Sequence, residues 1–131
     1  MQSGESFGRY RLLRRLGVGG MGEVYLAEAQ GLDGVARKVA IKVVRQLTGG
    51  VSKRREQLRS LFVDEAKVSF LLNHPNVVQT YDIGEIEGHT FLVLEFVDGA
   101  GLERVLERLA ERAEAMPIPL ALYIGAMVAR G

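Results

Sequence analysis

The sequence contains no cysteine, which excludes a disulfide framework and any metal site built from thiolates. Its two histidines, His74 and His89, lie too far apart along the chain to predict a metal site. A protein without cysteine suits a reducing compartment, so we expect this chain to be cytoplasmic.

Long hydrophobic runs are also missing. The most apolar stretch covers residues 118–129, about a dozen residues, whereas a transmembrane helix takes roughly 20. We therefore predict a core helix there. The first five residues lack the basic start and the apolar run of a signal peptide. We expect no membrane segment within this chain, and a membrane anchor further along the protein stays open.

Neither sign of charge dominates, because the net charge is only +1. The net charge therefore does not indicate a protein that binds nucleic acid or a membrane surface. The charges are unevenly distributed. Residues 1–60 carry 12 Lys and Arg against 5 Asp and Glu, and residues 61–131 carry 5 against 11. Two interpretations remain: two solvated surfaces of one unit, or a basic part that faces an anion such as a nucleotide.

Apolar periodicity predicts an α+β chain with one helix between its third and fourth strands. A turn falls at 31–34, and a loop precedes Ser52, a candidate helix N-cap. The predicted strands cover residues 10–16, 23–29, 38–44, 77–86 and 90–97.

The long helix should run from Ser52 to about Leu72, since His74-Pro75-Asn76 ends it. One stripe follows helical spacing and contains a single acidic residue. Its members are Leu58, Leu61, Phe62, Glu65, Val68, Ser69 and Leu72.

A flexible joint at 98–101 should precede an amphipathic helix carrying Leu102, Val105, Leu106 and Leu109. We expect Pro117 and Pro119 to stop that helix, and a last helix to begin near Leu120.

Two sequence motifs indicate a phosphate-binding function. The first is G-x-G-x-x-G-x-V from Gly17 to Val24, and the second is V-A-I-K from Val39 to Lys42. A backbone that approaches phosphates closely cannot carry side chains, which favours glycine. A dinucleotide fold would need a helix directly after the glycines and an acidic residue about 20 further on, but a strand pattern and Lys42 stand there. A plain glycine-rich hairpin is the alternative without a ligand.

Lys42 lies in a strongly apolar strand, where burying an unpaired ammonium group is costly, so the sequence predicts a partner for it. Glu65 is the candidate, because a free carboxylate would be out of place on the apolar stripe. Asp64 is the weaker candidate partner, since its side chain points about 100° away from that of Glu65 around the helix axis. An edge-strand lysine with a solvated glutamate is the alternative.

These residues, in this order, resemble the N-terminal lobe of a protein kinase, most like the bacterial serine/threonine kinases of eukaryotic type. The resemblance implies a small lobe with a five-stranded antiparallel sheet and one helix, a hinge, and the first helices of a truncated large lobe. It divides the chain into a tail at 1–6, the small lobe and hinge at 7–97, and an incomplete large lobe at 98–131.

The resemblance implies ATP and Mg²⁺ as the cofactors, with the metal ligands beyond this chain. Lys42 and Glu65 would be catalytic, Val24 and Ala40 would cover the adenine, and Leu94 would be the gatekeeper behind it. Glu95 to Val97 would form the hinge. The residues expected to contact ATP are Gly17, Val18, Gly19, Gly20, Met21, Gly22, Val24, Ala40, Lys42, Leu94, Glu95 and Val97.

The complete enzyme would transfer the γ-phosphate of ATP to Ser or Thr of a protein substrate. The motifs H-R-D-x-x-x-x-N and D-F-G, which supply the catalytic aspartate and the Mg²⁺ ligands, do not occur in this sequence, so we expect no metal ligand here and no activity from this chain alone. A pseudokinase and a short nucleotide-binding or interaction module are the alternatives. Exposed large-lobe surface should also favour self-association.

Overall fold

The computed structural model describes residues 4–19, 22–30, 36–44 and 52–131, without the side chains of 52–55, 58 and 59. The predicted turn at 31–34 and the loop before Ser52 lie outside the described residues. The chain divides into two compact units. The first comprises Met1–Asn73 and Val78–Phe96, and the second comprises His74–Val77 and Val97–Gly131.

The described part of the first unit forms a six-stranded antiparallel sheet with the order β1-β2-β3-β4-β6-β5. The strands are β1 (Ser6–Phe7), β2 (Tyr10–Val18), β3 (Gly22–Gln30), β4 (Ala36–Val44), β5 (Thr80–Ile86) and β6 (His89–Glu95). The predicted fold class is confirmed. The structure adds the two-residue β1, and β5 begins at Thr80 rather than Val77 because residues 75–77 turn.

One face of the sheet carries the larger core, and alternation along each strand decides which side chains reach it. On β4, Val39, Ile41 and Val43 are buried on this face. The Phe91 ring on β6 meets the rings of Phe7 and Tyr10 edge-on, at centroid distances of 5.2 Å and 5.9 Å. Aromatic pairs of this geometry add to the free energy gained by burial, so β1, β2 and β6 share one core.

Helix α1 (Ser52–Leu71) packs on the opposite face of the sheet, where Phe62 and Ala66 are buried with Leu92. The buried face is narrower than the predicted stripe. Leu61 and Val68 belong to that stripe, yet they are 56% and 59% exposed. A helix lying on a sheet contacts it along a limited arc, and here that arc is centred on Phe62 and Ala66.

The described second unit contains α2 (Leu102–Glu111) and α3 (Ile118–Arg130). Helix α3 begins at Ile118 rather than near Leu120, because Pro119 is tolerated in its first turn, where a missing N–H costs no helical hydrogen bond. The amide of Asn76 donates to the carbonyl of Met127 at 2.8 Å, which ties the segment 74–77 to α3.

The predicted amphipathic helix is present as α2, although it ends well before Pro117. Neither α2 nor α3 has a buried residue. None of the described helices is long and apolar enough to cross a membrane. The lobe boundaries inferred from the sequence stay a prediction.

Candidate nucleotide-binding site

Strand register brings the predicted site side chains to one face of the sheet. Val24 on β3 is paired with Lys42 on β4, and Lys42 is paired with Leu92 on β6. In the neighbouring row, Ala40 is paired with Leu94. Paired residues project to the same side of a sheet, and residues two apart on a strand do so as well. Both rows therefore lie on the face that α1 partly covers.

Lys42 is held by α1. Its ammonium nitrogen donates to Oε1 of Glu65 at 2.8 Å, so the ion pair predicted from the sequence is present. The same nitrogen lies 5.6 Å from the centroid of the Phe62 ring, within cation–π range. The Lys42 side chain is 23% exposed and that of Glu65 is 45% exposed. The pair thus borders solvent and remains accessible to an anionic ligand.

The alternative partner for Lys42 is ruled out by geometry. Asp64 forms its ion pair with Lys67 at 3.4 Å on the exposed side of α1. Adjacent helical residues point about 100° apart, so the two carboxylates serve different lysines.

The glycines of the first motif differ in the steric constraint that their surroundings impose. A Cβ atom at Gly22 would fall 1.9 Å from the carbonyl oxygen of Val43, so packing alone demands glycine there. A Cβ at Gly17 or Gly19 would meet nothing within 4 Å. The fold therefore supplies no steric reason for glycine at these two positions. This is expected if the backbone there must leave room for a ligand that approaches closely.

Main-chain hydrogen bonds close the hairpin that carries the motif. Gly19 N–H donates to Gly22 at 2.8 Å, and Gly22 N–H donates back at 3.3 Å. Val18, just before this closure, is 53% exposed. Gly20 and Met21, two of the predicted contacts, lie outside the described residues. Because Gly22 opens a strand rather than a helix, the dinucleotide interpretation is excluded.

A polar network braces this hairpin on both strands. The hydroxyl of Tyr25 donates to the carboxylate of Glu23, and Arg15 on β2 approaches the other oxygen of Glu23 at 3.4 Å. Burial, together with the hydrogen bond to Glu23, raises the pKa of Tyr25 to about 12. Tyr25 therefore stays a neutral donor at any physiological pH.

The predicted hinge begins at the end of β6. The backbone N–H of Glu95 donates to the carbonyl of Gln79 at 2.8 Å, and the Glu95 carboxylate accepts from the N–H of Gln79 at 3.3 Å. Val97 belongs to the second unit and is 62% exposed.

Two further residues of this face are not among the predicted site residues. Leu26 is paired with Ala40, in the same row as Leu94, and is buried. Strand alternation already places Leu26 on the same face as Val24. Phe62, beneath the Lys42 ammonium, could not be assigned that contact without the helix position. The part of the chain that the structure describes contains no group of three His, Asp or Glu able to hold a metal, so its residues do not fit Mg²⁺.

A family model described as the protein kinase domain matches residues 10–126. The chain belongs to the protein kinase domain family.

Relatives of this kinase-family chain include bacterial kinases of two named specificities. The serine/threonine-protein kinase PknJ of Mycobacterium tuberculosis is 37% identical over 130 residues, 99% of this chain and 20% of the relative. The tyrosine-protein kinase MasK of Myxococcus xanthus is 33% identical over 128 residues, 97% of this chain and 19% of the relative. The chain thus spans about a fifth of the length of these curated relatives.

Solved kinase structures share the fold. The kinase domain of Mycobacterium tuberculosis PknI is 31% identical to this chain, with a TM-score of 0.70. The likeness covers 98% of this chain and 48% of that domain. The described units of the kinase-family chain thus correspond to about half of a kinase domain.

Proposed function

We propose that this chain is the ATP-binding lobe, with the start of the large lobe, of a serine/threonine protein kinase. The observation that carries the proposal is the 2.8 Å ion pair between Lys42 and Glu65, on the sheet face shared by Val24, Ala40 and Leu94. A lysine on an apolar strand, oriented by a helix carboxylate, is suited to neutralise phosphate oxygens.

In this proposal, each part of the face has a role. Lys42 binds the α- and β-phosphates, and Glu65 holds its ammonium in position. Gly17 and Gly19 let the hairpin backbone cover the phosphates. Val24 and Ala40 cover the adenine with apolar surface.

The gatekeeper and hinge roles are part of the same proposal. Leu94 would close the space behind the adenine. Main-chain groups of Glu95 and Val97 would bind the base edge. The N–H of Glu95 is already bonded to Gln79, so any such contact at Glu95 falls to its carbonyl oxygen.

ATP supplies the γ-phosphoryl group that the complete protein would transfer to Ser or Thr hydroxyls of a protein substrate. Mg²⁺ would have to be held by residues other than the described ones, which do not fit the metal. We place this part of the protein in the cytoplasm, where ATP is available. We favour Ser/Thr over Tyr because PknJ, the relative with the higher identity of the two described above, carries the serine/threonine name.

Titration of this chain with a fluorescent ATP analogue tests the nucleotide part. We expect saturable binding that Lys42→Met weakens at least tenfold, since a charge-assisted hydrogen bond contributes about 1.5–3 kcal/mol. Lys38→Met is the matched control, because Lys38 lies on the same strand but is exposed. Equal affinities for the two variants would refute the role of Lys42.

Phosphoamino-acid analysis of a protein substrate phosphorylated by the complete protein tests the reaction. Phosphoserine or phosphothreonine is expected. Phosphotyrosine alone would contradict the specificity, and nucleotide binding without any phosphotransfer would favour the pseudokinase.

A further inference from the structure

The polar network at the glycine-rich hairpin lies on the sheet face opposite the candidate nucleotide site. Tyr25 on β3 is paired with Ile41, and both side chains belong to the larger core. Glu23 precedes Tyr25 by two residues, so its side chain projects to the same side of the strand. Val24, between them, is paired with Lys42 on the face that α1 partly covers. The network can therefore hold the hairpin without occupying the space of a ligand.

Strand β2 does not run evenly into the hairpin. Its pairing with β3 shifts register between Arg15 and Gly17, so the ladder is irregular directly before the glycines. Glycine adds no side chain to pack and leaves the backbone more conformational freedom than other residues have. The pairing of β3 with β4, by contrast, runs from Gly22 to Gln30 without a shift. The backbone alone thus constrains the β2 arm of the hairpin less than the β3 arm.

Glu23 connects the two sides of this register shift. One of its carboxylate oxygens accepts a hydrogen bond from the hydroxyl of Tyr25, and the other lies 3.4 Å from Nη1 of Arg15. Arg15 is paired just before the shift, whereas Glu23 is paired with Val18 just after it. Tyr25 is only 3% exposed, while the Arg15 side chain is 58% exposed. Because an exposed ion pair contributes little, the buried tyrosine is the firmer anchor of the carboxylate.

We propose that Tyr25 and Glu23 are positioning residues, which hold the hairpin where its backbone covers the phosphates of the nucleotide. The inference rests on the nucleotide-binding role proposed above, and it assigns the network an effect on the phosphates alone. Val24 and Ala40, the proposed cover of the adenine, lie on the regular β3–β4 ladder, which does not depend on the network. Loss of the network should therefore weaken the binding of ATP but not that of adenosine.

Isothermal titration calorimetry of this chain with ATP and with adenosine tests the proposal. Tyr25→Phe removes the hydroxyl and keeps the buried ring. It should weaken ATP binding about fivefold, which corresponds to about 1 kcal/mol, the contribution of one hydrogen bond, and leave the affinity for adenosine unchanged. Tyr10→Phe is the matched control, because the Tyr10 hydroxyl also donates to a carboxylate, that of Asp82, and its ring lies in the same core. Its two affinities should equal those of the parent chain.

Hydrogen exchange of the nucleotide-free chain gives a second readout. The backbone N–H groups of Gly19 and Gly22 close the hairpin, so their exchange rates report how firmly it is held. Tyr25→Phe should speed the exchange of both groups about fivefold, since one hydrogen bond that opposes local opening is lost. The amides of β4 should exchange as they do in the parent chain.

Circular dichroism checks that each variant folds. If Tyr25→Phe does not, Glu23→Gln takes its place, because it removes the charge of the network and leaves the buried ring intact. Glu28→Gln is the matched control for this variant. Glu28 forms an ion pair with Arg11 on the same two strands, on the other side of the register shift from the hairpin.

Three results would overturn the proposal. The first is an equal loss of affinity for ATP and for adenosine, because the network would then support the fold alone. The second is an exchange rate of the hairpin amides that Tyr25→Phe leaves unchanged. The third is a parent chain that binds neither ligand. That result would refute the proposed function as well, whereas the first two would refute only the positioning role.

Discussion

The ammonium nitrogen of Lys42 and a carboxylate oxygen of Glu65 are 2.8 Å apart, although 23 residues separate them in sequence. Phe62, one helical turn before Glu65, is 1% exposed and lies beneath the same ammonium group. Helix α1 therefore holds the lysine from two sides, by charge and by an aromatic face. The position of Lys42 depends on how α1 seats on the sheet.

Glu65→Gln should weaken ATP-analogue binding severalfold, because Lys42 loses the group that orients it. The loss in unfolding free energy should be no more than about 1 kcal/mol, since the pair is partly exposed. The analogue titration and urea denaturation measure the two effects. Asp64→Asn is the matched control, because Asp64 pairs with Lys67 instead. An equal loss of binding in both variants would contradict the assignment.

Gly22→Ala should destabilise the fold by roughly 3 kcal/mol, because the added Cβ would fall on the carbonyl oxygen of Val43. Gly19→Ala should change stability by no more than about 0.5 kcal/mol, since its Cβ meets open space, but it should weaken nucleotide binding. Thermal unfolding with and without the ATP analogue separates these effects. A Gly19→Ala protein that binds the analogue at full affinity would argue against the phosphate-covering role.

Tyr25 should make stability fall at alkaline pH. The unfolded tyrosine loses its proton near its ordinary pKa of about 10, whereas the folded pKa is raised to about 12. The stabilisation is complete below the unfolded pKa and is lost as the pH rises through the folded one, at up to about 1.4 kcal/mol per pH unit between them.

Tyr25→Phe removes this contribution while it keeps the ring. Urea denaturation of the parent and the variant between about pH 9 and pH 11 isolates the contribution of Tyr25 to the unfolding free energy, because all other titrating groups are present in both proteins. Curves that remain parallel across this range would mean that the Tyr25 hydroxyl is not held as described.

Thr80→Val should stabilise the protein by about 1 kcal/mol, because it replaces a buried hydroxyl that lacks a hydrogen-bond partner with a methyl group of similar size. Thr80 is 4% exposed, and its Oγ1 has no partner among the described residues. Thr90→Val is the control, since Thr90 is also buried but its hydroxyl is not both inaccessible and unpaired. A lower melting temperature for Thr80→Val than for the parent chain would show that the hydroxyl is bonded in solution.

Several features of this protein follow from the local chemistry of its sequence alone. Alternating apolar residues are sufficient to predict β3, since a strand that buries one face needs period two. Its β-branched residues are sufficient to predict β4. The apolar neighbours of Lys42 are sufficient to predict that it has a partner, because an unpaired buried ammonium is too costly. Pro75 sets a limit that the long helix cannot pass, because the residue before a proline avoids the helical region, and α1 ends at Leu71.

Only the tertiary structure decided which glycine is required by packing. Gly17, Gly19 and Gly22 are equivalent in the motif, but only Gly22 has a neighbouring strand carbonyl against its α-carbon. That contact depends on the register of β3 with β4, which no local pattern specifies.

The buried arc of α1 was likewise decided by tertiary structure. The sequence placed Leu61 and Val68 on one stripe with Phe62, yet only Phe62 of these three is buried. Periodicity determines which residues share a side of a helix. The rotation of that helix about its axis depends on the shape of the surface it meets, and here Leu92 and its neighbours on the sheet set that rotation and so bring Glu65 to Lys42.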